Sequence, residues 1–275
     1  MNGEPRDDDT PPWRLWAAPV AIVVGFLLAE LFTLIVYGVG ASQGASVSNP
    51  TPAMEIAGSI VFDLGFIAAA MLLAQLSGGL QAAWFGFRRV RPRTAVATVV
   101  IAAIAYYVLT DVYASIFSLH AKDNLPSQFG LHRSDWAVAG TALFVCAVAP
   151  MCEETFFRGF LFGVLRRLPL RVGARELGPW VASVIVAILF GLAHTGSANP
   201  EYLIPLGFLG FLLCLVRWRT RSLYPGMALH SANNAIALTI QLHWSAGAAA
   251  ALVVGSWLAI AVLLGPLGAR HPAIA

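Results

Sequence analysis

Apolar runs of about twenty residues recur along the whole chain, and a helix of that length spans the roughly 30 Å hydrocarbon core of a bilayer. They fall near residues 15–39, 56–80, 94–118, 135–167, 179–195, 202–217, 223–242 and 246–266. In lipid the backbone has no water to bond, so each run must satisfy its own amides as a helix. The sequence therefore predicts an all-α fold, a polytopic transmembrane helical bundle of about eight helices. Composition agrees, with 58% hydrophobic and only 11% charged residues, against about 25% charged in a soluble domain. One transmembrane domain, 15–266, leaves only a polar, acidic N-terminal tail, 1–14, and a short C-terminal tail, 267–275. Met1 to Pro12 lacks the positive region and cleavage site of a signal peptide, so the first span is expected to stay attached.

Arginine sets the expected orientation. Arg88, Arg89, Arg91 and Arg93 follow the second run, Arg166, Arg167, Arg171 and Arg175 the fourth, and Arg217, Arg219 and Arg221 the sixth. The alternate loops 40–55, 196–201 and 243–245 contain no Lys or Arg, and 119–134 holds only Lys122 and Arg133. By the positive-inside rule the arginine loops face the cytoplasm, and an even number of spans puts both termini there. Scarce lysine with plentiful Ala, Gly and Arg suggests a GC-rich bacterial genome, hence the inner (plasma) membrane as location. The arginines sit in short loops without an interleaved aromatic groove, which speaks against nucleic acid as a partner. Membrane lipids are the expected surroundings. Cys146, Cys152 and Cys214 lie in apolar runs with no CxxC pair, so they read as small buried hydrophobes rather than a disulfide or thiolate zinc set.

Against this background the run Cys152-Glu153-Glu154-Thr155-Phe156-Phe157-Arg158 stands out. A charge near the bilayer centre costs roughly 2.5–3.5 kcal/mol on insertion scales, so three together mark a functional site by default. On a helix Glu154 and Arg158 share a face at i and i+4, while Glu153 projects elsewhere. Glu154 with Arg158 can form a charge-assisted pair, leaving Glu153 to face a water-filled cavity. The alternative is that all three belong to a structural network between helices. Pro150, just before the pair, predicts a kink or re-entrant break in the long fourth run, and Ser134-Asp135 a cap at its start. Gly159 and Gly163 form a GxxxG, a signal for close helix packing.

His194 ends the fifth run, four residues after Phe190, and His230 and Asn234 share a face of the seventh. At a 1.5 Å rise per residue, Glu153 and His194 come out roughly 20 Å from the cytoplasmic ends of their helices, and His230 roughly 10–12 Å. Should they meet, a carboxylate, two imidazoles and an amide can activate a water. They would do so either as Glu153, His194 and His230 on Zn²⁺ or by general-base catalysis without metal, with Asn234 or His230 donating to an oxyanion. Glu30, Asp63 and Asp111 are the other charges within spans, each expected to be protonated, paired between helices or lining the cavity, with pairing between helices favoured. His120, His132 and His271 fall in loops or the tail and His243 at the outer boundary. Trp13, Trp16, Trp84, Trp136, Trp180 and Trp218 lie near helix ends, where an interfacial belt would place them.

Three motifs in order, EExxxR at Glu153-Glu154…Arg158, FxxxH at Phe190…His194 and HxxxN at His230…Asn234, resemble the CPBP family, the CAAX proteases and bacteriocin-processing proteins also called Abi. Phe85-Gly86-Phe87-Arg88-Arg89 is similar to a juxtamembrane element of that family, and the resemblance is strongest over 150–235, within a core of about 135–242. It implies an intramembrane endopeptidase acting on a membrane-associated or lipidated protein or peptide. Glu153 and His194 would activate the water, His230 and Asn234 would serve as ligand or oxyanion donors, and Glu154 and Arg158 would orient the site. The family is often labelled metallo-dependent, while HExxH is absent here. The CAAX specificity of eukaryotic members does not transfer to a bacterial chain. Two other classes use the same residues differently: a non-catalytic scaffold or bacteriocin-immunity factor, and a proton-coupled transporter.

Overall fold

A computed structural model describes residues 11–117, 129, 131 and 134–268. His120, Lys122, His132, Arg133 and His271 lie outside the described residues. All eight apolar runs are helical: α1 (Ala17–Ser42), α2 (Pro52–Ser77), α4 (Pro92–Phe117), α5 (Asp135–Leu165), α6 (Gly178–Ala193), α7 (Leu203–Thr220), α8 (Tyr224–Gln241) and α9 (Ala246–Gly268). A single turn, α3 (Ala82–Phe85), precedes the Gly86 loop. Between α5 and α6 a small hairpin pairs β1 (Arg171–Val172) with β2 (Arg175–Glu176). The alternation of apolar and polar residues could not reveal strands so short.

By length and composition six described helices can cross a membrane: α1, α2, α4, α5, α7 (counted from Pro200) and α9. Helix α6 is apolar but shorter, and α8 is not among the six. These two carry His194 and His230, and on α8 the polar groups that give the helix a chemical role lower its hydropathy.

Local chemistry explains the helix starts and contacts. Thr51 caps α2 by accepting from the Met54 amide, with Pro52 in the first turn. Ser134 caps α5 by accepting from the Ala137 amide, as the sequence predicts. The α1–α2 hairpin closes on small residues: a Cβ at Gly65 would stand 2.5 Å from the Ala29 backbone nitrogen. Apolar side chains cover the outside, with Leu27, Leu34, Ile101 and Val262 exposed, as lipid requires.

Helix α5 does not break at Pro150. It stays continuous but underwinds to i→i+5 pairing over Phe144–Val148 and again over Glu154–Leu161. Widening the turn relieves the clash that a proline ring makes with the preceding turn, so a π register accommodates Pro150 within a continuous helix.

The arginine-bearing loops gather at one end. Ser222 Oγ donates to the Arg88 carbonyl, the Leu223 amide to the Gly86 carbonyl, and Arg217 to the Phe85 carbonyl. Gly86, at φ +103, lies against the Arg217 guanidinium, and a Cβ there would come within 2.5 Å of its Nε. Trp13 departs from the belt expectation. It is fully buried, donates to the Gly79 carbonyl and packs on Phe85 and Phe160, while Arg167 donates to the Pro11 and Trp13 carbonyls. Burial pulls the Arg167 pKa below the ordinary arginine value. Gly159 and Gly163 serve this cluster: their Cα atoms face Phe85 and Trp13 rather than another long helix.

Gly65→Ala is expected to lower the melting temperature of the detergent-solubilised protein, an overpacking loss of about 1–3 kcal/mol. Gly255→Ala, with nothing within 4 Å of its Cβ, serves as the neutral control in the same thermal scan.

Candidate active site

The underwound segment of α5 presents its two glutamates to different surroundings. Glu154 is fully buried and pairs with Arg158, Nη1 to Oε1 at 2.8 Å, as the i, i+4 spacing predicts. Arg158 donates through Nη2 to the Gly210 carbonyl of α7 at 3.1 Å, and its guanidinium carbon lies 4.1 Å from the Phe190 ring centroid of α6. Gly210 permits this approach, because a Cβ there would stand 3.2 Å from the Ala187 Cα and the Phe190 side chain. Glu154 Oε1 also accepts from His230 Nδ1 of α8 at 3.0 Å. At Gly226 a Cβ would press within 3.1 Å of Glu154 Oε2, so the small residue makes room for the carboxylate.

Glu153 lines a cavity of about 1000 Å³ that also receives His194, His230, Asn233 and Asn234. The His230 and His194 Nε2 atoms stand 3.8 Å and 4.0 Å from Glu153 Oε2, which is buried without a hydrogen-bond partner. Both imidazoles are fixed from behind. Nδ1 of His194 donates to the Phe190 carbonyl at 2.8 Å, and Nδ1 of His230 donates to Glu154. With the hydrogen on Nδ1 in each ring, both Nε2 lone pairs aim at the space beside Glu153. Phe190 is the hinge of this arrangement: its carbonyl holds one histidine, and its ring lies against His194, His230 and Arg158.

The depth disparity expected between His230 and the other two residues does not keep them apart, since His230 stands 3.8 Å from Glu153. Ser222, Leu223, Pro225, Gly226 and Met227, at the start of α8, are all buried.

Asn234 takes a role its spacing could not reveal. Its Nδ2 donates to the Val145 carbonyl at 2.9 Å, and its Oδ1 pairs with the Asn233 amide at 3.4 Å. In an i→i+5 register the Val145 carbonyl would pair with the main-chain nitrogen of residue 150, which is proline and has no hydrogen. Asn234 supplies the missing donor and fastens α8 to the underwound turn.

Among the described residues no group of three or more His, Cys, Asp or Glu side chains is placed to hold a metal ion. The 3.8 Å and 4.0 Å separations exceed the roughly 3.3 Å edge of a tetrahedral zinc site with bonds of about 2.0–2.1 Å. As arranged, Glu153, His194 and His230 do not fit that ion.

Of the remaining charges, Asp63 of α2 lines the cavity and interacts electrostatically with Glu153, while Glu30 and Asp111 are exposed on the outside of the bundle. Asp63 thus takes the cavity-lining alternative, and the favoured expectation of interhelical pairing does not describe these positions. A lone aspartate in a 26-residue apolar helix gives no sequence signal of which face meets the cavity.

A helical membrane bundle that turns one carboxylate and two imidazoles into an internal cavity is the class that fold and site define. Residues 135–236 match the family model of the type II CAAX prenyl endopeptidases, Rce1-like. That segment holds all three motifs. The uncharacterized protein YyaK of Bacillus subtilis (strain 168) is 31% identical over 139 residues, covering 48% of this chain and 43% of that protein. The chain thus spans less than half the length of this curated relative. No solved structure matches at a significant level.

Asn234→Ala is expected to destabilise the protein by about 1–3 kcal/mol by stripping the Val145 carbonyl of its donor. Adding Pro150→Ala restores a main-chain N–H and should recover part of that loss in a thermal double-mutant cycle, whereas strictly additive losses would show that the two residues are uncoupled.

Proposed function

We propose that the protein is an intramembrane endopeptidase that hydrolyses a peptide bond of a membrane-associated or lipidated protein or peptide with a water activated by Glu153. The observation that carries this reading is the convergence of Glu153 Oε2 and the Nε2 atoms of two imidazoles, each hydrogen-bonded at Nδ1, on one cavity. The match to the CAAX endopeptidase family model supports it.

A water beside Glu153 gives one proton to the carboxylate as its oxygen bonds to the scissile carbonyl carbon. His194 Nε2 accepts its second hydrogen and orients it. Charge developing on the carbonyl oxygen is met by an amide hydrogen of Asn234, one of whose two hydrogens is engaged by Val145. As the C–N bond breaks, the proton held by Glu153 passes to the leaving amine. Glu154, Arg158 and Phe190 act as positioning residues that hold His230 and His194. Phe62, Phe66, Phe156 and Leu192 on the cavity wall suit a lipid chain or an apolar peptide segment. The arginine-rich end faces the cytoplasm of the plasma membrane, on the positive-inside rule, with α6 and α8 crossing as the two shorter spans.

Glu153→Gln keeps shape and hydrogen bonding but loses the base, so cleavage of a membrane-anchored peptide library by the purified protein should fall by about 10²–10⁴. Melting temperature and membrane insertion should match wild type. Retained cleavage in this variant contradicts the reading. A zinc chelator added to the wild-type reaction is expected to leave the rate unchanged, and loss of activity restored by zinc would favour the metal-dependent alternative.

A further inference from the structure

Helix α2 lays Glu55, Ser59, Phe62, Asp63 and Phe66 along the cavity, at i, i+4, i+7, i+8 and i+11 on one side of the helix. Glu55 and Asp63 stand about 12 Å apart along the helix axis. Glu55 has a partner in the Tyr37 hydroxyl. Asp63 differs: its Oδ2 is buried and has no hydrogen-bond partner, although the residue faces the cavity close to Glu153. Glu154, whose Oε2 is likewise buried without a hydrogen-bond partner, receives an arginine and a histidine within hydrogen-bond distance on Oε1. Asp63 has no such pair. All the charged side chains that line the cavity among the described residues, Glu55, Asp63 and Glu153, are acidic.

Carboxylates that line one low-dielectric cavity repel, and a cation placed among them relieves that repulsion. From this juxtaposition we propose that Asp63 is a specificity residue: it receives a cationic group of the substrate, a Lys or Arg side chain or a free amine, and so seats the adjoining peptide bond beside Glu153. The inference rests on the protease reading and adds the chemistry of the segment recognised. Phe62 and Phe66, on the same helix face, take the apolar stem of that side chain or its apolar neighbours. An acidic residue at the same place meets like charge and is rejected.

The test uses the cleavage-deficient Glu153→Gln protein in detergent and one palmitoylated peptide with Lys, norleucine or Glu substituted at each position in turn. At one or more positions the Lys peptide should bind at least about tenfold more tightly than the norleucine peptide, with Glu weakest. Adding Asp63→Asn should bring Lys down to norleucine, while Asp63→Glu keeps the preference. No position favouring Lys, a preference that survives Asp63→Asn, or no binding by any peptide would overturn the proposal. Wild-type hydrolysis of the bound peptides separates the two ideas. A charge preference without hydrolysis counts against the protease reading alone, and hydrolysis without a charge preference counts against the cation site alone.

Discussion

The buried pairing of Arg158 with Glu154 is the interaction from which the rest of the site follows. Removing a guanidinium from water within a membrane costs several kcal/mol, and the chain offsets this only by surrounding it completely. Arg158 has a carboxylate on its own helix, a carbonyl of α7 at Gly210 and the ring of Phe190 on α6. The carboxylate it binds also receives His230 of α8. One cation thus ties α5, α6, α7 and α8 together, and loss of either charge would leave the other buried and uncompensated. The glycines at 210 and 226 belong to the same interaction: a methyl at 226 would press on the Glu154 carboxylate, and one at 210 on Ala187 and the Phe190 side chain that packs on Arg158.

With Glu154 committed to that framework, Glu153 is left to chemistry. The adjacent carboxylates differ in exposure, 19% for the Glu153 side chain against 1% for Glu154, because consecutive helical residues point apart. The underwound turns around Pro150 complete the division. They widen α5 where Asn234 must reach the Val145 carbonyl, so α8 is fixed there through Asn234 and one turn earlier at Glu154 through His230 itself. Proline, asparagine, arginine and the first imidazole therefore act as one positioning device, and the second imidazole is set by the end of α6.

Much of this was legible in the sequence. The apolar runs marked eight helices to within a few residues, and i, i+4 geometry separated Glu154 with Arg158 from Glu153. What escaped depends on contacts between segments far apart in the chain. The position of Trp13 near a helix end suggested the interface, whereas it fills a pocket made by Phe85, Phe160 and Gly163. The HxxxN spacing placed Asn234 beside His230 but could not reveal that Pro150, far earlier in the chain, leaves a carbonyl for it. Depth counted from each helix start set His230 apart from Glu153, whereas the packing of α8 against α5 brings the two within 3.8 Å. Asp63 was visible as a charge out of place, yet only the packing of α2 against α5 turns it toward Glu153.

The central claim is that both histidines are held with the hydrogen on Nδ1 and a free Nε2 lone pair facing Glu153. Nitrogen NMR of the ¹⁵N-histidine-labelled protein, under mildly alkaline conditions where an ordinary imidazole is neutral, reads this directly. His194→Gln and His230→Gln proteins would assign the signals. The account predicts the Nδ1–H tautomer for both residues in the wild type, and loss of that fixed state at His230 but not at His194 in Glu154→Ala. An Nε2–H tautomer at either histidine, or a His230 signal indifferent to Glu154, would contradict it.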